Sequence, residues 1–180
     1  MNNAGSGIQS RDYDLNELYK IDRFGKPCAI YDNRVAEKVK SVVSLFVLEG
    51  KVYIYCDGVF ALDEGEKRLR NIISLYIPDT LVTYRRINGV VQLILSDEYL
   101  DVTLEDVNHY PPYVINFKNG MLNVKTGELL PHDVEYRSIN QIPHNYVPEA
   151  DIKTSVFWEF LQSRVPDPED QRMLIEFMGY

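Results

Sequence analysis

Few side chains in this 180-residue sequence stand at spacings that could do covalent chemistry. Asp12-Tyr13-Asp14 has the D-x-D spacing by which polymerases hold divalent metal. It lacks a flanking apolar strand to fix both carboxylates and lies in a polar leader, so chance spacing is the simpler account. Gly25-Lys26 and Gly50-Lys51 are followed by proline and valine. The pattern G-x-x-x-x-G-K-[ST] is therefore absent, and with it the backbone cradle for a triphosphate and the hydroxyl for magnesium. No serine or cysteine sits in a G-x-S-x-G elbow. The 27 acidic residues are dispersed, and no paired general acid and base stands out among them. His109, His132 and His144 show no ligand spacing such as H-x3-5-H and read as polar loop residues beside prolines. Cys28 and Cys56 lie far apart and build neither a disulfide framework nor a zinc site.

The residues that gather are cationic. From Gly65 to Leu95 five basic residues (Lys67, Arg68, Arg70, Arg85, Arg86) stand against two acidic ones (Glu66, Asp79), in a chain whose net charge is −8. Such a cluster suits phosphates at a positively charged groove, or a subunit boundary. The solvated faces of two amphipathic helices are the simpler account of the same pattern. The overall acidity excludes a protein whose whole surface wraps nucleic acid, while leaving room for this local patch. Tyr53 and Tyr55 add a second ambiguity, since they suit base stacking or the half-exposed face of a sheet.

The elements that must position these residues can be read from the patterning. With 45% hydrophobic and 26% charged residues the chain is an ordinary folded protein. No apolar run approaches the roughly 18 residues of a membrane helix. The N-terminus has no apolar signal-peptide core, which points to an intracellular protein. Residues 1–30 read as a leader, partly flexible, with a turn at Phe24-Gly25-Lys26-Pro27. Asp32 or Asn33 is expected to cap a helix whose apolar positions are Val35, Val39, Val42, Val43 and Phe46. Glu49-Gly50 and Asp57-Gly58 then bracket the alternating run Val52 to Cys56, which predicts three short strands. Asp63 opens a helix with the stripe Leu69, Ile72, Ile73, Tyr76, Ile77, ended by Pro78. Asp79 or Thr80 is expected to cap the next, with Tyr84, Ile87, Val91 and Ile94 on one side. Gly89 in its interior costs about 1 kcal/mol relative to alanine and suggests close packing. The acidic stretch after Asp97 is expected to separate this lobe from a second meander.

From Tyr113 the chain turns strand-like. Asn119-Gly120 between alternating apolar residues predicts a hairpin in which both turn residues have positive φ. A further turn falls at Thr126-Gly127, and Pro131, Pro143 and Pro148 mark strand ends. Two helices close the sequence. The first has Val156, Phe157, Phe160 and Leu161 as its buried stripe, with Trp158 to one side. The second starts at Asp167-Pro168-Glu169-Asp170 and has Met173, Leu174, Phe177 and Met178 as its apolar face. The expected fold class is α+β. Residues 31–110 make a mainly helical lobe with a small β-meander, 111–150 a second β-meander, and 151–180 a helix pair.

The run INFKNGMLNVKTGELLPHD, followed by NQIPHNY and a helix containing FWEFL, resembles the domain that precedes the superfamily 3 helicase core in phage and plasmid primase-helicases. The poxvirus primase-helicase shares that family. Asn116, Asn119, Gly120, Gly127, Pro131, Pro143 and Trp158 belong to the motif, which covers about Val114 to Tyr180 and contains no catalytic residue. The resemblance implies a non-catalytic accessory domain of a replication helicase from a phage, plasmid or mobile element. Such a domain would lie between a primase or origin-binding region and a ring-forming ATPase, helping subunits assemble or guiding DNA. Its implied partners are the helicase core and primase region of the same chain, DNA, and further copies in a homo-oligomer. ATP and magnesium belong to that core, so these residues need no cofactor. The implied compartment is the cytoplasm of a bacterial or phage-infected cell. The sequence stops at Met178-Gly179-Tyr180, where the family continues into the ATPase, and an excised domain is expected. The alternative is a DNA-binding module acting through the basic face of helices 65–95. A stand-alone enzyme would rest on the D-x-D pair alone.

Overall fold

The computed structural model describes residues 15–149 and 151–178, and the D-x-D pair at Asp12 and Asp14 lies outside them. The chain is α+β and divides into two compact units, residues 1–145 and 146–180.

The first unit opens with a single helical turn, α1 (Leu15–Leu18), and the hairpin β1 (Tyr19–Ile21) to β2 (Pro27–Ile30). The expected turn at Phe24 to Pro27 closes it, because the Asp22 carboxylate accepts from the N–H groups of Phe24 and Lys26 at 2.7 and 2.9 Å. Helix α2 (Asp32–Val42) buries Val35, Ala36 and Val39. Tyr31, and neither Asp32 nor Asn33, precedes it as N-cap, and no side chain caps the first turn. The helical stripe also ends sooner than its spacing implies. Val43 is already extended, and Phe46 belongs to strand β3 (Leu45–Leu48).

Strands β4 (Lys51–Cys56) and β5 (Val59–Leu62) come next through Glu49-Gly50 and Asp57-Gly58, all four of which have positive φ. After a short 3-10 turn at Glu64–Glu66 come α3 (Lys67–Leu75) and α4 (Tyr84–Leu95). Helix α4 begins later than expected, at Thr83, whose hydroxyl accepts from the Arg86 N–H at 3.3 Å. Asp79 and Thr80 fall in a turn closed by Leu81 and Val82 donating to the Pro78 carbonyl, and Leu81 is buried there. Burial of that leucine postpones the helix. The acidic stretch beyond Asp97 does more than separate lobes, since β6 (Asp101–Val102) pairs parallel with β3.

The four strands lie in the order β5-β4-β3-β6. Period-two alternation sends Leu45, Val52 and Ile54 into a core with Val39, Leu69, Ile73, Val91 and Ile94 from the helices. The opposite face sends Phe46, Leu48 and Phe60 into a second cluster with Val107, covered by Val134 and Ile139. Tyr53 stacks on Phe46 and Tyr55 packs on Phe60, so both tyrosines belong to this half-buried sheet face.

The second meander is β7 (Val114–Phe117), β8 (Gly120–Asn123) and β9 (Glu128–Leu130). Its first turn differs from the expectation by one residue. Phe117 pairs with Gly120, so Lys118-Asn119 form the loop, and Asn119 has no positive φ. Gly120 serves instead for close approach: a Cβ there would lie 2.5 Å from the Leu130 carbonyl oxygen of the neighbouring strand.

In the second unit Asp151 caps a 3-10 turn, Ile152–Thr154, and Ser155 caps α5 (Val156–Arg164). Helix α6 (Pro168–Met178) starts as its sequence predicts, with the Asp167 carboxylate accepting from the Glu169 N–H at 2.8 Å. The expected apolar stripes are largely uncovered. Leu161 is buried, but Val156, Phe160, Met173 and Phe177 are exposed, and Trp158 is half-buried. Helical spacing sets which residues share a face, and a short pair has little to cover that face with.

Candidate nucleic-acid interface

The five basic residues sit in the opening turns of α3 and α4. Leu69 and Ile73 anchor α3 in the core, while Val90, Val91 and Ile94 anchor α4. The flanking polar positions are thereby turned outward. Gly89 lets α4 lie close to the start of α2, since a Cβ there would be 3.3 Å from the Asp32 carboxylate.

The cluster is chemically uneven. Lys67, Arg68 and Arg85 are exposed and take part in no ion pair among the described residues. Arg70 is half-buried and engaged: its Nη2 lies 3.1 Å from the Glu66 carboxylate and 3.2 Å from the Asn88 side-chain oxygen. Its Nη1 is buried with no hydrogen-bond acceptor. The guanidinium carbon is 5.6 Å from the ring centroid of Tyr84, which offers Arg70 an electron-rich face. Arg86 folds back, its Nη1 donating to the Leu81 carbonyl at 2.7 Å. Arg70 and Arg86 are thus engaged within the α3–α4 region, whereas Lys67, Arg68 and Arg85 have no ion-pair partner among the described residues.

The start of α3 is already occupied by a carboxylate. Buried Asp63 accepts from the N–H groups of Arg68 and Leu69 at 2.9 and 2.8 Å, so its carboxylate occupies the positive end of α3. Phosphate contact would therefore come from side chains and not from the helix end.

The spacing places Tyr84 with Ile87, Val91 and Ile94 on one side of α4 and does not single it out for binding. The first residue of a helix projects past its packing partners, and Tyr84 is 77% exposed. The signal in the sequence is the adjacency Tyr84-Arg85-Arg86, an aromatic beside cations.

The motif residues of the second meander do structural work. Asn116, 2% exposed, donates to the Gly58 carbonyl and the Ser138 hydroxyl, both at 2.9 Å. Gln141 donates to the Asp57 carbonyl at 2.9 Å, and His132 places Nε2 2.8 Å from the Phe117 carbonyl oxygen. Gly120 allows the close approach of β9 and Gly127 shapes the second turn, while Pro131 comes after the last strand and Pro143 after the bridge from Phe117 to Ile142. None of these residues faces the basic cluster through a described contact.

Gly25-Lys26 leads into β2 and Gly50-Lys51 into β4, so neither pair opens a helix whose N–H groups would cradle phosphate. Among the described residues no three of His, Cys, Asp or Glu gather as a metal group, and no helix is long and apolar enough to cross a membrane.

Residues 55–166, more than half of the chain, match the family model described as D5 N terminal like. No curated protein matches the chain.

Proposed function

The chain belongs to the D5 N-terminal-like family, the N-terminal domain of phage and plasmid D5-like primase-helicases, and from that premise we propose that it is an accessory module that guides DNA during replication. In this reading it carries no catalytic residue of its own. It supplies a cationic track along the starts of α3 and α4, and DNA passes from there to an ATP-driven helicase core in the same polypeptide. ATP and magnesium are bound by that core. The parent works as a homo-oligomer in the cytoplasm of a bacterial or phage-infected cell.

The observation that carries the reading is the set Lys67, Arg68 and Arg85, exposed and unpaired among the described residues of a chain with a net charge of −8. In an acidic protein, unneutralised cations on adjoining helices raise the local potential where phosphates would dock. The test is fluorescence anisotropy with single-stranded and forked DNA at two salt concentrations. The intact chain should bind in a salt-sensitive way. The combined variant Lys67→Ala, Arg68→Ala, Arg85→Ala should bind more weakly, with a slope of log affinity against log salt flatter by about 2. Unchanged binding by that variant would remove the reading.

A second reading, assembly of the parent oligomer, is favoured by the exposed apolar residues of α5 and α6, including Phe160 and Phe177. Attaching the downstream ATPase with and without this domain tests it. An identical oligomer in both cases would sink it.

A further inference from the structure

We propose that Tyr84 is a stacking platform for a base of single-stranded DNA, held in place by Arg70, with the exposed cations Lys67, Arg68 and Arg85 in the opening turns of the same two helices available to the backbone. The inference rests on the DNA-guiding reading and sharpens it by naming the form of DNA that the surface takes.

Exposure is the first observation. Tyr84 is 77% exposed, although its position in the helical stripe would suit a core residue. Most of the ring is left uncovered, its contact being the Arg70 guanidinium. Support is the second. Arg70 comes from a different helix and is itself fixed by Glu66 and Asn88, with its guanidinium 5.6 Å from the ring centroid. A ring braced on one side and open on the other loses little freedom when a base stacks on the open face. Charge is the third. Arg85 comes directly after Tyr84, and Lys67 opens the helix that carries Arg70.

Together these are the two components of a single-strand site, an aromatic face for bases and cations for the backbone. A duplex keeps its bases stacked inside and can use only the cations. Tyr99 provides the contrast. It is 99% exposed but sits between Glu98 and Asp101, where phosphates would be repelled.

The experiment uses the whole chain with fluorescent oligo-dT and a blunt hairpin duplex at low and moderate salt, comparing wild type with Tyr84→Ala, Tyr84→Trp and Tyr99→Ala. Thermal melts confirm that the variants are folded, as replacement of exposed side chains allows. Tyr84→Ala should weaken oligo-dT binding by about 5- to 150-fold, the range expected for loss of one stacked base, and leave duplex binding nearly unchanged. Tyr84→Trp should retain or improve oligo-dT binding, and Tyr99→Ala should match wild type. If Tyr84→Ala binds oligo-dT as wild type does while the alanine variant of the three cations does not, the stacking platform is overturned and the cationic track survives. If wild type binds neither probe, both fall together.

Discussion

The side-chain nitrogen of Asn116 donates to the carbonyl oxygen of Gly58 across 2.9 Å of space and 58 residues of sequence, and this bond ties the β4–β5 turn to the second meander. The same nitrogen reaches the Ser138 hydroxyl, which donates its own proton to the Asn140 carbonyl. Gln141 and His132 close around the turn, so a polar network stands where two sheets meet within the first unit. Buried networks of this kind are sensitive to the loss of one member, because the partners left behind stay desolvated. Asn116→Ala should therefore destabilise the protein by about 2 kcal/mol in urea unfolding, while DNA affinity of the folded fraction stays unchanged. A stability equal to wild type would show that the network contributes nothing net.

Two glycines of similar φ should respond differently to alanine. Gly50 has φ +72 and nothing within 4 Å of an added Cβ. Its replacement should cost about 1 kcal/mol for the left-handed backbone alone. Gly58 has φ +87, and an added Cβ would lie 2.4 Å from the His132 ring. Gly58→Ala must also displace a ring whose Nε2 is held at the Phe117 carbonyl, so its melting temperature should fall distinctly below that of Gly50→Ala. Equal shifts would mean that His132 moves away freely.

Arg85 and Arg86 are neighbours with separable roles. Arg86→Ala removes the bond to the Leu81 carbonyl and should cost about 1 kcal/mol of stability. Arg85 is exposed, and its replacement should change stability by less than about 0.5 kcal/mol while weakening DNA binding. Parallel chemical unfolding and anisotropy on the two variants separate these effects. A stability loss larger for Arg85→Ala would contradict the geometry.

The ion pair of Lys40 with Asp97 predicts a pH profile. The hydrogen bond from Lys40 comes first, and the Tyr99 N–H second, in holding the Asp97 carboxyl below its ordinary value of 3.8. Stability from that group is present above the ordinary value and is lost as pH falls through the lowered one. Bonds to Asp97 and then Glu37 raise Lys40 above its ordinary 10.5, so its share is present below that value and is lost as pH rises through the raised one. Urea midpoints across pH should show both limbs flattened in Asp97→Asn. A profile identical to wild type would exclude the pair as a contributor.

The features legible along the chain were local ones. The turns at Glu49-Gly50 and Asp57-Gly58, the helix start at Asp167-Pro168 and the stripe through Leu69 and Ile73 each depend on residues within about four positions, so their chemistry is carried by near neighbours. The positions of the five cations were legible for the same reason. Their division into structural and available charges was not, because Arg70 meets Asn88 and Tyr84 only once α3 lies against α4. Tertiary packing likewise set Thr83 as the start of α4, once Leu81 is buried, and Lys118-Asn119 as the hairpin loop. It left Phe160 and Phe177 exposed at helical spacings that otherwise mark a core. Periodicity says which residues share a face, whereas burial depends on which distant segment arrives to cover it.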